Sequence, residues 1–201
     1  SLILEVFSKI NGKISVLAKG SKKPKSKFFG YITPFKKLYI TYSGKSELKT
    51  LTNIERSFEQ SSPLNSKKNY SLLYINEILI KLLPKNAASK EIFYLNEKFL
   101  DEIHLTENLN DLLRGFELEL LELIGFGLDL KNDFSGEAIK EELEYNFIPD
   151  KGFIMKTKGK FSGEDILNIK RKNFSAIEPD KVKSITQGLL NFCLDGDELV
   201  S

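Results

Sequence analysis

The chain has 201 residues, 41% hydrophobic and 29% charged, with a net charge of +2, one cysteine, one histidine and no tryptophan. That is the composition of a soluble globular protein with one large domain or two small ones. Cys193 alone can form neither an internal disulfide nor a cysteine-cluster zinc site, and no apolar run approaches the roughly 18–20 residues of a membrane span.

The sequence opens at Ser1 without an initiator Met, and further residues are expected ahead of it. Residues 1–7 (SLILEVF) alternate imperfectly and are rich in β-formers; a turn follows, which does not fit a signal peptide, so a reduced cytoplasm is the expected compartment. Asn11-Gly12 is a hairpin signal leading into a second strand over residues 13–18. Next come Lys19, Lys22, Lys23, Lys25 and Lys27, five lysines in nine residues with no acid among them. Phe28–Ile32 precedes Pro34 and is a candidate strand. Residues 38–42 (LYITY) form a clear strand, Ser43–Lys45 a turn, and residues 47–51 a strand of period two. Four or five short strands with tight turns predict a small OB-type Greek-key barrel over residues 1–57.

Residues 57–68 are polar, carry Pro63 and read as a domain junction. The period then changes from two to 3.6. Leu72, Ile75, Ile78, Leu79 and Leu82 predict a helix stopped by Pro84. Ile92, Leu95, Phe99 and Ile103 predict a second. Leu109, Leu112, Leu113, Phe116, Leu120 and Ile124 predict a third, ended by Gly125 and Gly127. A β-hairpin is expected over 145–148 and 153–156, then helices near 163–171 and 179–193. The expected class is α+β: an OB barrel over 1–57 and a mainly helical domain with a small hairpin over 66–201.

Charge follows the same division. Residues 1–57 carry twelve Lys/Arg against three Asp/Glu, a net of +9; the remainder carries 18 against 25, a net of −7. A basic front end on an acidic body is the electrostatic footprint of a nucleic-acid binder. The lysine run lies in a predicted OB loop and continues at Lys36, Lys37, Lys45 and Lys49. Phe28, Phe29, Tyr31, Phe35, Tyr39 and Tyr42 are interleaved with it, and such rings can stack on bases whatever their sequence. Many lysine runs are merely solvated loops; the barrel and the rings favour nucleic-acid contact here.

Catalytic chemistry finds little support. His104 has no cysteine or nucleophilic serine partner in the sequence, and Cys193 beside Phe192 reads as a small core residue. Glu117, Glu119 and Glu122 share no clean helical face and, like Glu141-Glu142, read as solvated surface. Gly125-Phe126-Gly127 lacks a following phosphate-loop lysine and reads as a helix stop. No catalytic residue, metal or cofactor is expected.

Residues 1–7, 12–20, 25–27, 34–35 and 44–51 resemble the N-terminal OB domain of the RecO family of bacterial recombination mediators. The likeness continues through 74–79 (YINEIL), 114–121 (RGFELELL), 125–127, 151–153 and 161–163. It implies an opening strand ahead of Ser1, binding of single- and double-stranded DNA, and annealing of complementary strands. With RecR, it implies loading of RecA onto DNA coated by single-stranded-DNA-binding protein (SSB). It also implies that the helical domain captures the acidic, Phe-terminated SSB tail. The resemblance puts Arg114 as the anchor of that tail, with Leu118 and Leu121 lining a pocket; the plainer alternative is an ordinary ion pair of Arg114 with Asp111. Some members carry a four-cysteine zinc motif whose first position is Asp133 here, so this chain reads as zinc-free. Its end, Asp195–Glu198, is more acidic than the resemblance would suggest. A cytoplasmic, nucleoid-associated mediator with no membrane contact is the expectation, with Lys19, Lys22, Lys23, Lys25 and Lys27 as primary DNA ligands and Lys36 and Lys49 as secondary ones. The alternative is an OB-fold RNA-binding protein of translation or ribosome assembly, which would use the same loop. A nuclease or ligase accessory fragment would need a carboxylate or lysine centre that the sequence does not offer, and in a structural adaptor the lysines would only solubilise.

Overall fold

The computed structural model describes residues 1–57 and 63–194. It is α+β, and its backbone packs as two compact units, Ser1–Leu100 and Asp101–Ser201.

In the first unit, β1 (Leu2–Ser8), β2 (Gly12–Ala18), β3 (Leu38–Ser43) and β4 (Leu48–Arg56) form one sheet in the order β1-β2-β4-β3. β1 and β2 pair antiparallel from Leu2↔Ala18 to Ser8↔Gly12. Gly12 is demanded twice over: its φ is +65°, and a Cβ there would fall 2.1 Å from the Ala87 carbonyl oxygen. β2 and β4 pair parallel through Val16↔Lys49, and β3 returns antiparallel on β4 with a bulge at Thr41/Tyr42. The inward residues Ile14, Val16, Ala18, Leu51 and Ile54 make the core, with Leu4, Val6, Leu38 and Ile40 against it. Each large apolar side chain of this kind contributes about 1.5–3 kcal/mol when fully buried.

Between β2 and β3 the chain makes successive turns. The expected strand over 28–32 does not form. Pro24, Pro34 and the left-handed Gly30 (φ +76°) interrupt any ladder, and the N–H groups bond locally instead. Phe28 nevertheless joins the sheet core and anchors the segment.

α1 (Ser66–Leu82) starts at the Asn65 cap, whose side chain accepts from the Lys68 N–H at 3.0 Å. It stops at Leu83, held extended ahead of Pro84. α2 (Lys90–Leu105) begins in the first unit and ends in the second. The sheet of residues 1–57 shares its unit with α1 and most of α2. Asn86 N–H donates to the Lys13 carbonyl at 2.9 Å, Lys37 pairs with Glu97, and the rings of Phe7 and Phe93 lie 5.9 Å apart.

The second unit holds α3 (Leu109–Leu123), β5 (Glu144–Ile148), β6 (Gly152–Met155), β7 (Phe161–Ser162), α4 (Gly163–Lys170) and α5 (Pro179–Cys193). The expected hairpin β5–β6 is present, and β7 adds a third strand in the order β6-β5-β7. Phe153 packs between Phe147 and Phe161, with ring centroids 5.3 and 6.0 Å away. Ser162 and Asp165 form a reciprocal capping box that starts α4, and Pro179 opens α5. Among the described residues, no helix is long and apolar enough to cross a membrane.

Candidate nucleic-acid interface

The lysine run sits on the turn segment between β2 and β3. Gly20, at φ +69°, turns the chain out of β2. N–H to carbonyl bonds then recur every few residues: Lys23 to Gly20 (3.0 Å), Ser26 to Lys23 (2.8 Å), Phe29 to Ser26 (3.0 Å) and Tyr31 to Phe28 (3.2 Å). Phe28, buried in the sheet core, ties this run of turns to the sheet.

The structure sorts the expected DNA ligands. Lys19, Lys22, Lys23 and Lys25 are exposed, and no carboxylate stands within the run. Lys27 donates to the Thr52 carbonyl on β4 and lies over the Phe28 ring, 5.2 Å from its centroid. Its charge therefore also clips the segment to the sheet. Lys36 is exposed, while Lys49 is half-buried and donates to the Gly44 carbonyl at 3.3 Å. Lys13 is turned elsewhere: it donates to the Ile80 carbonyl, and burial lowers its pKa, with Lys85 adding to the shift and Glu5 opposing it.

Sequence reasoning missed Arg56. At the end of β4 it donates to the Gly30 carbonyl and covers the Tyr31 ring at 5.2 Å, a second clip on the same segment. Of the six interleaved aromatics, Phe28 is buried, Phe35 and Tyr42 are half-buried, and Phe29, Tyr31 and Tyr39 are exposed. The Tyr42 hydroxyl accepts from Asn11 at 2.5 Å.

In the second unit, Arg114 lies on the inner face of α3, 4% exposed. Its guanidinium is 3.0 Å from the Glu117 carboxylate and donates to the Thr186 hydroxyl of α5 at 3.1 Å. On the same helix Leu121 is buried and Leu118 is half-buried. The Asp111 carboxylate accepts from the Ser175 hydroxyl at 3.1 Å. The surface reading of Glu117 is overturned: its side chain is 0% exposed. Glu117 and Arg114 are three residues apart, so one helical face carries both inward, side by side.

Acids near the expected zinc position cap turns. Asp133 accepts from the N–H groups of Ser135 and Glu137 at 2.9 and 3.1 Å. Asp129 accepts from those of Asn132 and Lys131, which holds its carboxyl below the usual range. Among the described residues, no group of three His, Cys, Asp or Glu could hold a metal ion. Burial pushes the Cys193 thiol up, away from the reactive thiolate. The acidic stretch 195–201 and residues 58–62 of the expected junction lie outside the described residues.

Two family models match the sequence. The one described as "Recombination protein O N terminal" matches residues 1–58, and "Recombination protein O C terminal" matches residues 64–178. A protein of Pseudoalteromonas atlantica named DNA repair protein RecO is 32% identical over 206 residues, covering 100% of this chain and 85% of its own length. Proteins of the same name from Photobacterium profundum and Haemophilus influenzae are 35% and 32% identical. They cover 92% and 87% of this chain, and 78% and 75% of their own lengths.

Proposed function

The chain belongs to the RecO family of DNA repair and recombination proteins, and from that premise we propose that it binds single- and double-stranded DNA through the β2–β3 segment and anneals complementary strands. The observation that carries this reading is the exposure of Lys19, Lys22, Lys23 and Lys25 on a backbone pinned to the sheet by Phe28, Lys27 and Arg56. Mutually repelling ammonium groups held on a fixed frame gain most when phosphates arrive, and phosphate binding releases condensed counterions. Lys36 and Lys49 extend the surface.

Annealing then needs no covalent step, catalytic residue, metal or cofactor. Lysines that neutralise two backbones at once lower the repulsion that slows pairing. In this reading residues 1–57 are the DNA module and residues 66–201 the partner module. With RecR, the protein promotes RecA loading on SSB-coated DNA at the bacterial nucleoid, in the cytoplasm. The helical module takes the SSB tail. Arg114 is its proposed anchor and Leu118 and Leu121 its proposed lining; Arg114 and Leu121 are buried and Leu118 is half-buried.

Strand annealing without nucleotide tests this reading, comparing the protein with its Lys22→Ala/Lys23→Ala/Lys25→Ala variant. A large loss of rate supports it. Equal rates, or preference for RNA over DNA of the same length, would contradict it.

A further inference from the structure

We infer that Tyr31, backed by Arg56, is a stacking platform for an unpaired nucleobase. The inference rests on the DNA-binding reading above and adds the strand form that this surface prefers.

Tyr31 closes a turn onto the buried Phe28 through its own N–H, so its backbone is tied to the sheet core. Arg56 approaches from β4. Its guanidinium donates to the Gly30 carbonyl and lies over the Tyr31 ring, 5.2 Å from the centroid. The planar guanidinium can lie flat on the ring while its edge donates to the carbonyl, a broader contact than an ammonium makes. One face of the ring is thus occupied by a cation fixed at a second point. Tyr31 is still 41% exposed. A pair serving only to pin the segment would gain by burying the ring fully. Here a large flat apolar surface is held still in water, two residues from exposed Phe29 and six from Lys25.

That arrangement suits a base. Holding the ring in advance removes most of the ordering cost of stacking, and a ring face accepts any base because every base has a π-face. It suits only an unpaired base, since within a duplex both faces of each base are covered by its neighbours. The ring therefore adds affinity for a single strand and none for the duplex. In annealing, the base leaves the ring as it pairs, and the product is held by its phosphates alone. Arg56 is a positioning residue: it acts through Tyr31.

The test measures binding of a single-stranded oligonucleotide, a duplex of equal length and an abasic strand of equal length by fluorescence anisotropy over a salt series. Tyr31→Leu should weaken single-strand binding about 5- to 150-fold, with an unchanged salt slope and little effect on duplex or abasic strand. Tyr31→Phe should restore binding, and Arg56→Lys should lose part of it. Equal losses on all three ligands would overturn the inference, pointing to a collapsed loop. So would an unaffected single strand where the triple lysine variant is weakened; the DNA-binding reading would then survive. Failure of the unmodified protein to bind any of the ligands would overturn both.

Discussion

The guanidinium of Arg114 and the carboxylate of Glu117 meet at 3.0 Å, one turn apart on α3, at 4% and 0% exposure. Thr186 of α5 accepts a further bond from the same guanidinium. Arg114 thus ties two helices of the second unit together from inside.

Removing Arg114 takes away the guanidinium that faces a fully buried carboxylate. Arg114→Ala should cost about 3–5 kcal/mol of stability in urea unfolding. Replacing both, as Arg114→Met with Glu117→Leu, should cost far less or even stabilise, because neither charge then needs desolvating. Equal losses in the single and double variants would show that packing, not charge, dominates. If Arg114→Ala keeps its full stability and loses only SSB-tail affinity, the buried ion pair does not stabilise the fold.

The lysines should separate by role. Lys22→Ala, Lys23→Ala and Lys25→Ala should each lower the salt dependence of log K by roughly 0.7–0.9 per phosphate no longer neutralised, with no sequence preference. Lys27→Ala should also lower thermal stability, since its ammonium bonds the Thr52 carbonyl. Anisotropy titrations paired with thermal melts distinguish the two; identical behaviour of Lys25 and Lys27 variants would contradict the assignment.

Much of this was legible in the sequence. The helices emerged because apolar residues recur at 3.6, and α5 was found over its full span, Pro179–Cys193. α1 begins at Ser66, ahead of the apolar run, because its first turn is polar and the Asn65 cap supplies its start. β7 has two residues, too few to show a period. The role of Arg56 was invisible because its partner Gly30 is 26 residues away in the chain. Glu117 misled because charge ordinarily marks the outer face of a helix; the signal that could have placed it was Arg114 three residues earlier.

Acid should weaken the second unit. Burial works against the Asp165 anion but is outweighed by the Lys181 ammonium at 2.7 Å and the Ser162 N–H, which hold its pKa below the usual range. A depressed folded pKa contributes stability that is present above the unfolded value of about 3.9 and is lost as pH falls through the folded one. The stability gap between the protein and Asp165→Asn should be full well above the unfolded value and should close as pH falls through the lowered folded one. A gap independent of pH would show that the side chain acts by capping alone.

The purified protein should contain no stoichiometric zinc, given one cysteine, one histidine and Asp133 capping a turn. Chelator treatment should leave folding and annealing unchanged. One zinc per chain by elemental analysis would overturn the reading of residues 129–139.

Neutralisation of two strands by the exposed lysines of the β2–β3 segment is read most plainly from the annealing rate of SSB-coated complementary strands. The unmodified protein is compared with Lys22→Ala/Lys23→Ala/Lys25→Ala, and the fold of each is checked by circular dichroism. The rate should be at least about tenfold lower for the variant, since three ammonium groups no longer reach phosphates. An equal rate in a folded variant would mean that these lysines do not drive pairing.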